Sequence, residues 1–312
     1  MARSDYRNHR TGAHNWLMSK IWLITGSSRG LGRALAKTVL AAGDRLVATA
    51  HNPEDLCDLV AEYGDRVRAV ALDVTDPAAA RAAVAAATSA FGRLDVVVNN
   101  AGYANVNSIE DVAEDDFRKQ FETNYFGVVN VTRAALPVLR AQRDGHIVQI
   151  SSIGGRGAAP GLASYQSAKW AVGGFSEVLA QEVRPLGIRV TVVEPGGMRT
   201  DWAGSSMRID DIRSDYQATV GTMAGMARAN HDIMRSDPAK VAKAIHELTL
   251  ETEPPVRLLL GSDAVFLAHL YAAERAKEDA SWDAVSRSTD FDGLGDFAET
   301  PVAKMLMTAN AI

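Results

Sequence analysis

The chain has 312 residues, of which 47% are hydrophobic and 23% are charged, as is usual for a globular protein. Its formal net charge of −5 argues against a general binder of nucleic acids or anionic membranes, because such proteins need a basic surface. Cys57 is the only cysteine and the seven histidines lack metal-ligand spacing, which excludes an internal disulfide, predicts no metal site and fits a reducing cytoplasm.

The N-terminal segment is polar. Residues 1–17, MARSDYRNHRTGAHNWL, lack the apolar core of a secretory signal. Met18 is a second plausible start, so we expect residues 1–17 to be a flexible extension, or the product of an upstream start, outside the fold. No apolar run approaches the roughly 18 residues that would cross a membrane, and no membrane association is expected.

Strand-like and helix-like patterns then alternate along the chain. Apolar runs predict strands over 21–26, 45–50, 66–76, 94–102, 145–152, 188–197 and 255–261. Helical spacing and glycine or proline punctuation predict helices over 32–43, 53–64, 77–92, 114–142, 164–185 and 238–251. The strands are rich in Val, Ile and Leu without polar alternation, which is typical of parallel strands buried on both faces. The order predicts an α/β fold with a doubly wound parallel sheet.

The domain organisation follows from the lack of an internal repeat or long linker. We expect a single domain over 18–262, followed by a helical C-terminal appendage over 263–312. Within the appendage, 263–285 is typical of an amphipathic helix that packs on the body or on a partner.

A glycine-rich turn directly follows the first predicted strand. In ITGSSRGLGRALA, Gly26, Gly30 and Gly32 lie between that strand and the first helix. Glycine lets the backbone turn sharply and leaves room for a pyrophosphate, whose charge the helix N-terminus favours. The position in a βαβ series favours dinucleotide binding over a turn that only packs helix on strand.

A tyrosine and a lysine share one face of the predicted helix 164–185. Tyr165 and Lys169 are four residues apart, and Ser152 closes the fifth strand at the end where ligands bind in such sheets. Reduction of a carbonyl needs a proton donor, but a free tyrosine has a pKa near 10. We expect the Lys169 ammonium to lower the Tyr165 pKa, and Ser152 to hold the substrate oxygen.

Taken in order, these motifs resemble the short-chain dehydrogenase/reductase family. The turn has the form T-G-x-x-x-G-x-G, NNAG stands at 99–102, Asn124 lies in FETNYFG, and PGGMRT stands at 195–200. Ser152 precedes Tyr165 by 13 positions, which is the spacing found in the family, and Y-x-x-x-K follows. The resemblance covers about 20–262. It implies a Rossmann-like domain, a nicotinamide dinucleotide, a small carbonyl or alcohol substrate, and a homodimer or homotetramer formed through helices 114–142 and 164–185.

The resemblance also implies residue roles. Ser152, Tyr165, Lys169 and Asn124 would be catalytic, with Lys169 also binding the nicotinamide ribose and Asn124 supporting a water-linked proton path. Asn124 could instead be a buried polar residue bonded to a helix backbone. The implied cofactor-binding residues are Gly26, Ser28, Arg29, Gly30, Leu31, Gly32, His51, Asp73, Val74, Asn99, Ala101, Gly102, Tyr165, Lys169, Pro195, Gly196, Met198 and Thr200.

The end of the second strand favours NADP(H) over NAD(H). Relatives that prefer NAD place an acid there to bind the ribose hydroxyls, whereas this chain has Ala50 followed by His51. Arg29, in the glycine turn, is a cation suited to the 2′-phosphate, although it could be a solvated turn residue. His51 is a departure, because relatives that use NADP more often have arginine there.

The substrate side is less specified. We expect selectivity to come from 103–108, 153–162 and the irregular segment 198–235. In the last of these, methionines and a tryptophan form an adaptable apolar wall or simply cover the core: Met198, Trp202, Met207 and Met223.

The function expected is that of a cytoplasmic NAD(P)-dependent carbonyl reductase or alcohol dehydrogenase. Two alternatives are a regulatory protein that senses the dinucleotide without turnover and an enoyl reductase of the same fold. The intact pair Tyr165 and Lys169 disfavours the first, and the spacing of the pair disfavours the second.

Overall fold

The computed structural model describes residues 19–199, 207–229 and 234–310. Residues 1–17, Thr200 and Trp202 therefore lie outside the described residues. The chain divides into two compact units between Ala268 and His269.

The first unit contains all of the described strands. The strands are β1 (Ile21–Ile24), β2 (Arg45–Ala50), β3 (Val67–Ala71), β4 (Val96–Asn99), β5 (Ala104–Val106), β6 (Gly145–Ile150), β7 (Ile188–Pro195), β8 (Met207–Ile209) and β9 (Arg257–Leu260). The helices are α1 (Gly30–Ala41), α2 (Cys57–Tyr63), α3 (Pro77–Phe91), α4 (Glu114–Phe121), α5 (Gly127–Gln142), α6 (Ala163–Val183), α7 (Thr222–Ala229), α8 (Pro238–Leu248), α9 (Ser262–Arg287) and α10 (Pro301–Asn310).

Seven strands form one parallel sheet in the order β3-β2-β1-β4-β6-β7-β9. Successive residues of a strand point to opposite faces, so Trp22 and Ile24 join one core cluster while Leu23 joins the other. The first cluster includes α1 and α8, and the second includes α3, α5 and α6. The predicted doubly wound parallel sheet is confirmed. It brings the ends of β1 and β4, where the strand order reverses, to one edge.

Several strands are shorter than predicted because the chain leaves the sheet at this edge. The fourth strand ends at Asn99, and the next two backbone N–H groups, of Asn100 and Ala101, each donate to Thr25 Oγ1 at 2.9 Å. The hydroxyl of Thr25 thereby joins the ends of β1 and β4, which positions the loops that follow both strands.

Two further elements depart from the predicted ones. The predicted helix over 114–142 is interrupted by a π-helical turn, Glu122–Phe126, between α4 and α5. The short strands β5 and β8 pair in parallel as a second sheet, and both lie in segments predicted to be loops. Each has only three residues, and they are far apart in sequence, so no local periodicity reveals them.

The predicted helix over 263–285 is present as α9, but among its described residues only Ala264 and Ala268 are buried. Both alanines belong to the first unit, and packing of the helix on the body or on a partner stays a prediction. Large apolar side chains farther along are exposed, including Trp282 and Val285.

A buried histidine makes folding pH-dependent. His146 on β6 is 1% exposed, and its Nε2 lies 3.0 Å from Thr191 Oγ1. Burial, helped by the charges of Arg189 and Lys20, lowers the pKa of His146 from its ordinary 6.5 to about 3. Between pH 6.5 and pH 3 His146 is protonated in the unfolded chain but stays neutral in the folded chain. The free energy of unfolding therefore decreases as the pH falls through this range.

We expect His146→Gln to flatten the acid limb of the stability profile. Each pH unit below 6.5 costs the wild type about 1.4 kcal/mol through His146, and a glutamine at this position does not titrate. Urea unfolding of both proteins at pH 7 and pH 5 measures this. The wild type should lose about 2 kcal/mol more free energy of unfolding than the variant; equal losses would contradict the assignment.

Candidate active site

A pocket of about 580 Å³ lies at the carboxyl edge of the sheet in the first unit. Most of the residues predicted for the site line it: Gly26, Ser28, Arg29, Gly30, Leu31, His51, Val74, Ala101, Gly102, Ser152, Tyr165, Lys169, Pro195, Gly196 and Met198. Residues separated by more than 160 positions thus share one cavity, because the parallel strands that carry them end at the same edge.

The glycine turn forms one wall of this pocket. Gly26 and Gly30 have positive φ angles of 68° and 56°, which side chains disfavour. The N-cap of α1 is Arg29, whose side chain does not cap the helix, and the first turn contains no acidic residue. The first backbone N–H groups of α1 are therefore not shielded by a side-chain cap, which suits a phosphate.

Gly32 lies in the turn but does not line the pocket. A Cβ at Gly32 would collide with the carbonyl oxygen of Gly26 and would lie 2.5 Å from Asn100 Nδ2. That amide donates to the carbonyls of Thr25 (2.9 Å) and Gly26 (3.1 Å). Gly32 therefore allows close packing of the turn, and Asn100 fixes its backbone.

Two other residues predicted to bind the cofactor are also outside the lining. The Asn99 side chain donates to Gln149 Oε1 (2.8 Å) and Thr132 Oγ1 (3.1 Å) in the buried interior, and its neighbour Asn100 lines the pocket instead. The Asp73 carboxylate accepts from the Thr75 N–H at 2.9 Å, while Leu72 and Val74 on either side line the pocket. Which of two adjacent side chains faces the pocket depends on strand alternation and turn geometry. Motif spacing alone does not predict it.

Tyr165 and Lys169 are buried side by side on α6. Ser152 hydrogen-bonds the Tyr165 phenol, and its hydroxyl also accepts from the Gly154 N–H at 3.0 Å. Lys169 Nζ lies 5.7 Å from the centre of the Tyr165 ring and donates to the Ile150 carbonyl at 2.7 Å. The three predicted groups are thus together at the end of β6.

The pKa values of this pair correct one expectation. Burial raises the pKa of Tyr165 to about 12, although the Ser152 hydrogen bond opposes the rise. Burial also lowers the pKa of Lys169 to about 8. We expected the ammonium to bring the tyrosine pKa down. In the structure the Tyr165 pKa is raised instead, and the cause is desolvation of the phenolate by burial.

Asn124 lies in the π-helical turn and is fully buried. Its Nδ2 donates to the carbonyls of Tyr103 and Gln120, both at 2.9 Å, and its Oδ1 accepts from the Tyr103 N–H at 3.1 Å. A Cβ at Gly102 would lie 2.5 Å from Asn124 Oδ1 and 3.6 Å from Lys169 Nζ, so the two residues are neighbours. The Asn124 side chain thus hydrogen-bonds backbone groups, as expected for a buried structural polar residue. Its role in a proton path stays a prediction.

The substrate side combines expected and unexpected residues. Met198 lines the pocket and also packs against the first core cluster, whereas Met207 packs in a separate cluster with Val106. Met234 lines the pocket without having been predicted. It comes from the far end of the irregular segment, where sequence spacing gives no signal.

Asp263 at the start of α9 supports the turn after β7. Its Oδ2 accepts from the Gly197 N–H at 2.7 Å, and a Cβ at Gly196 would collide with the carboxylate. Local sequence patterns do not predict this contact, because 66 residues separate the partners.

The described residues include neither a metal-binding cluster nor a membrane-spanning helix. No group of three or more His, Cys, Asp or Glu side chains there could hold a metal ion. None of the described helices combines the length and the apolar character that a membrane span requires.

Comparisons with solved structures agree with the observed fold. A short-chain dehydrogenase from Streptomyces avermitilis is 40% identical, with a TM-score of 0.83 over 88% of this chain and all of that one. An alcohol dehydrogenase from Thermococcus sibiricus, complexed with 5-hydroxy-NADP, is 25% identical, with a TM-score of 0.64 over 78% and 97% of the two chains. A 3-ketoacyl-(acyl-carrier-protein) reductase from Brucella melitensis, complexed with NADH, is 27% identical, with a TM-score of 0.65 over 77% and 95%.

Comparisons of sequence give the family. The oxidoreductase BOA17 of Botryotinia fuckeliana is 54% identical over 266 residues, which cover 85% of this chain and 97% of that protein. The family model described as short chain dehydrogenase matches residues 20–209, from the start of β1 to the end of β8. The chain therefore belongs to the short-chain dehydrogenase family of oxidoreductases.

Proposed function

We propose that this protein transfers a hydride between NADP(H) and a carbonyl or secondary alcohol, with Tyr165 as the acid and base. The observation that carries the proposal is that Tyr165, Ser152 and Lys169 share the pocket that also contains the glycine turn, with Tyr165 and Lys169 buried. The pocket thus combines a proton donor, a hydroxyl that can orient an oxygen, and a site suited to phosphate.

The residues present fit a nicotinamide dinucleotide. Gly26 and Gly30 of the turn line the pocket, and the first N–H groups of α1, which no side chain caps, would bind a pyrophosphate there. Arg29 and His51 would bind a 2′-phosphate, Val74 would contact adenine, and Lys169 would bind the ribose. Bound there, the nicotinamide would supply or accept the hydride.

The side chains supply the proton. In reduction, the Ser152 hydroxyl would orient the carbonyl oxygen, and the Tyr165 O–H would protonate it as it gains negative charge. A pKa of about 12 keeps the phenol protonated at neutral pH, so the proton is in place, although Tyr165 is then a weaker acid than free tyrosine. The Lys169 ammonium, whose Nζ lies 5.7 Å from the centre of the Tyr165 ring, would then offset the charge of the phenolate.

Arg29→Ala tests the preference for NADP(H). Loss of a charge-assisted contact to the 2′-phosphate should lower kcat/KM for NADPH by about 10- to 100-fold and leave that for NADH nearly unchanged. Lys37→Ala is the matched control, because it removes the same charge from an exposed position of α1 outside the pocket. Unchanged use of NADPH by the Arg29 variant would refute the phosphate contact.

A screen of NADPH oxidation against ketones and aldehydes tests the proposed reaction. Turnover that depends on the carbonyl compound supports it. Tight NADPH binding without turnover of any compound would favour the regulatory alternative. Cytoplasmic location, the domain boundary at 263 and assembly into a homodimer or homotetramer stay predictions.

A further inference from the structure

Gln166 directly follows Tyr165 on α6 and lines the pocket. Its side-chain Oε1 accepts a hydrogen bond from the Ala159 N–H at 2.8 Å. Because a backbone N–H can only donate, this contact fixes the orientation of the amide, with its oxygen towards Ala159. Among the described residues, no hydrogen-bond partner is found for Gln166 Nε2, which leaves a donor at the pocket wall.

This donor lies near the proposed reaction centre. A Cβ built on Gly154 would lie 3.0 Å from Gln166 Nε2 and 3.4 Å from Ser152 Oγ. The amide and the hydroxyl therefore border the same small space, which a side chain at Gly154 would fill. A carbonyl oxygen held by Ser152 and Tyr165 would bring the neighbouring atoms of the substrate towards Nε2.

We infer that Gln166 is a specificity-determining residue for ketones that carry a second oxygen acceptor one or two carbons from the reacting carbonyl. A donor in a pocket favours a ligand that accepts from it and disfavours one that leaves it unpaired. This inference rests on the proposed function and names the substrate class of the same site.

The charges of the pocket wall indicate that the second oxygen is neutral. Arg208 also lines the pocket, but its guanidinium pairs with Asp116 and with Asp210, whose Oδ1 lies 2.7 Å from Arg208 Nε. These carboxylates offset the positive charge of Arg208, and the Gln166 amide is uncharged. An ester, ketone or hydroxyl oxygen fits such a wall better than a carboxylate does.

The test uses two length-matched substrate pairs and two variants. Ethyl 3-oxobutanoate is paired with 2-heptanone, and ethyl 2-oxopropanoate with 2-hexanone, so each keto ester has a partner without the second acceptor. Gln166→Glu keeps an acceptor for the Ala159 N–H but replaces the donor by an oxygen, whereas Gln166→Met removes both. Each variant is compared with wild type on the same substrate, so intrinsic reactivity cancels, and NADPH affinity is measured by fluorescence.

Both variants should lose about tenfold or more in kcat/KM for at least one keto ester, and less than about threefold for the plain ketones. NADPH affinity should stay within about twofold. Equal losses for all four ketones would show that Gln166 only supports the loop at Ala159, and unchanged values would show no role; either result overturns the inference. If the wild type binds NADPH but reduces neither these four ketones nor any other ketone of the screen, the proposed function fails. The inference then fails with it.

Discussion

Tyr165→Phe is expected to lower kcat for carbonyl reduction by about 10³-fold or more. The substitution removes the only proton donor that we assign at the reacting oxygen, and a positioned general acid contributes about 10²- to 10⁴-fold. The ring remains, so the packing of α6 and the shape of the pocket should change little. Loss of the hydrogen bond to Ser152 should cost about 1 kcal/mol of stability.

Three measurements separate this effect from damage to the fold. Steady-state kinetics give kcat, fluorescence titration gives the affinity for NADPH, and thermal unfolding gives Tm. Only kcat should change strongly. A variant that kept more than about a tenth of the wild-type turnover would remove Tyr165 from the role of proton donor.

Lys169→Met should have the second-largest effect, with a loss of about 10²- to 10³-fold in kcat/KM. The variant lacks the ammonium that offsets the phenolate charge and the proposed contact to the ribose. Stability should move little, because relief from burying a charge opposes the loss of the hydrogen bond to the Ile150 carbonyl. A large fall in Tm would instead assign Lys169 a structural role.

The pH profile gives Lys169→Met a readout that a structural role would not produce. The pKa of Lys169 is about 8, so the ammonium is charged below this pH and neutral above it. We therefore expect kcat/KM for reduction to be level below pH 8 in wild type and to fall as the pH rises through 8. In the variant this break should be absent, whereas a break that persisted would belong to another group.

The features that the sequence predicted are those that local spacing determines. The four-residue interval between Tyr165 and Lys169 places both on one helix face, and the glycines of the turn follow directly from the end of β1. Most of the strands are predictable because they are buried on both faces and therefore largely apolar. Because β6 ends at the edge of the sheet where the pocket lies, Ser152 lies close to Tyr165 and Lys169.

The features that the sequence missed depend on contacts between distant segments or on burial. The inward position of Asn100 rather than Asn99 depends on where β4 ends, and the support of Gly197 by Asp263 joins β7 to a helix 66 residues later. The raised pKa of Tyr165 follows from its burial, which spacing does not report. The orientation of the Gln166 side-chain amide depends on the hydrogen bond from the Ala159 N–H, which no local sequence pattern predicts.

The proposed reaction is the transfer of a hydride from NADPH to a carbonyl carbon in the pocket. The most direct test is to supply NADPH that carries deuterium at the transferred position, together with a ketone from the screen, and to analyse the alcohol by mass spectrometry. We expect one deuterium on the carbinol carbon and one alcohol formed for each NADPH oxidised. Formation of an alcohol without deuterium would contradict direct hydride transfer. NADPH that binds but is not oxidised by any carbonyl compound would contradict it as well.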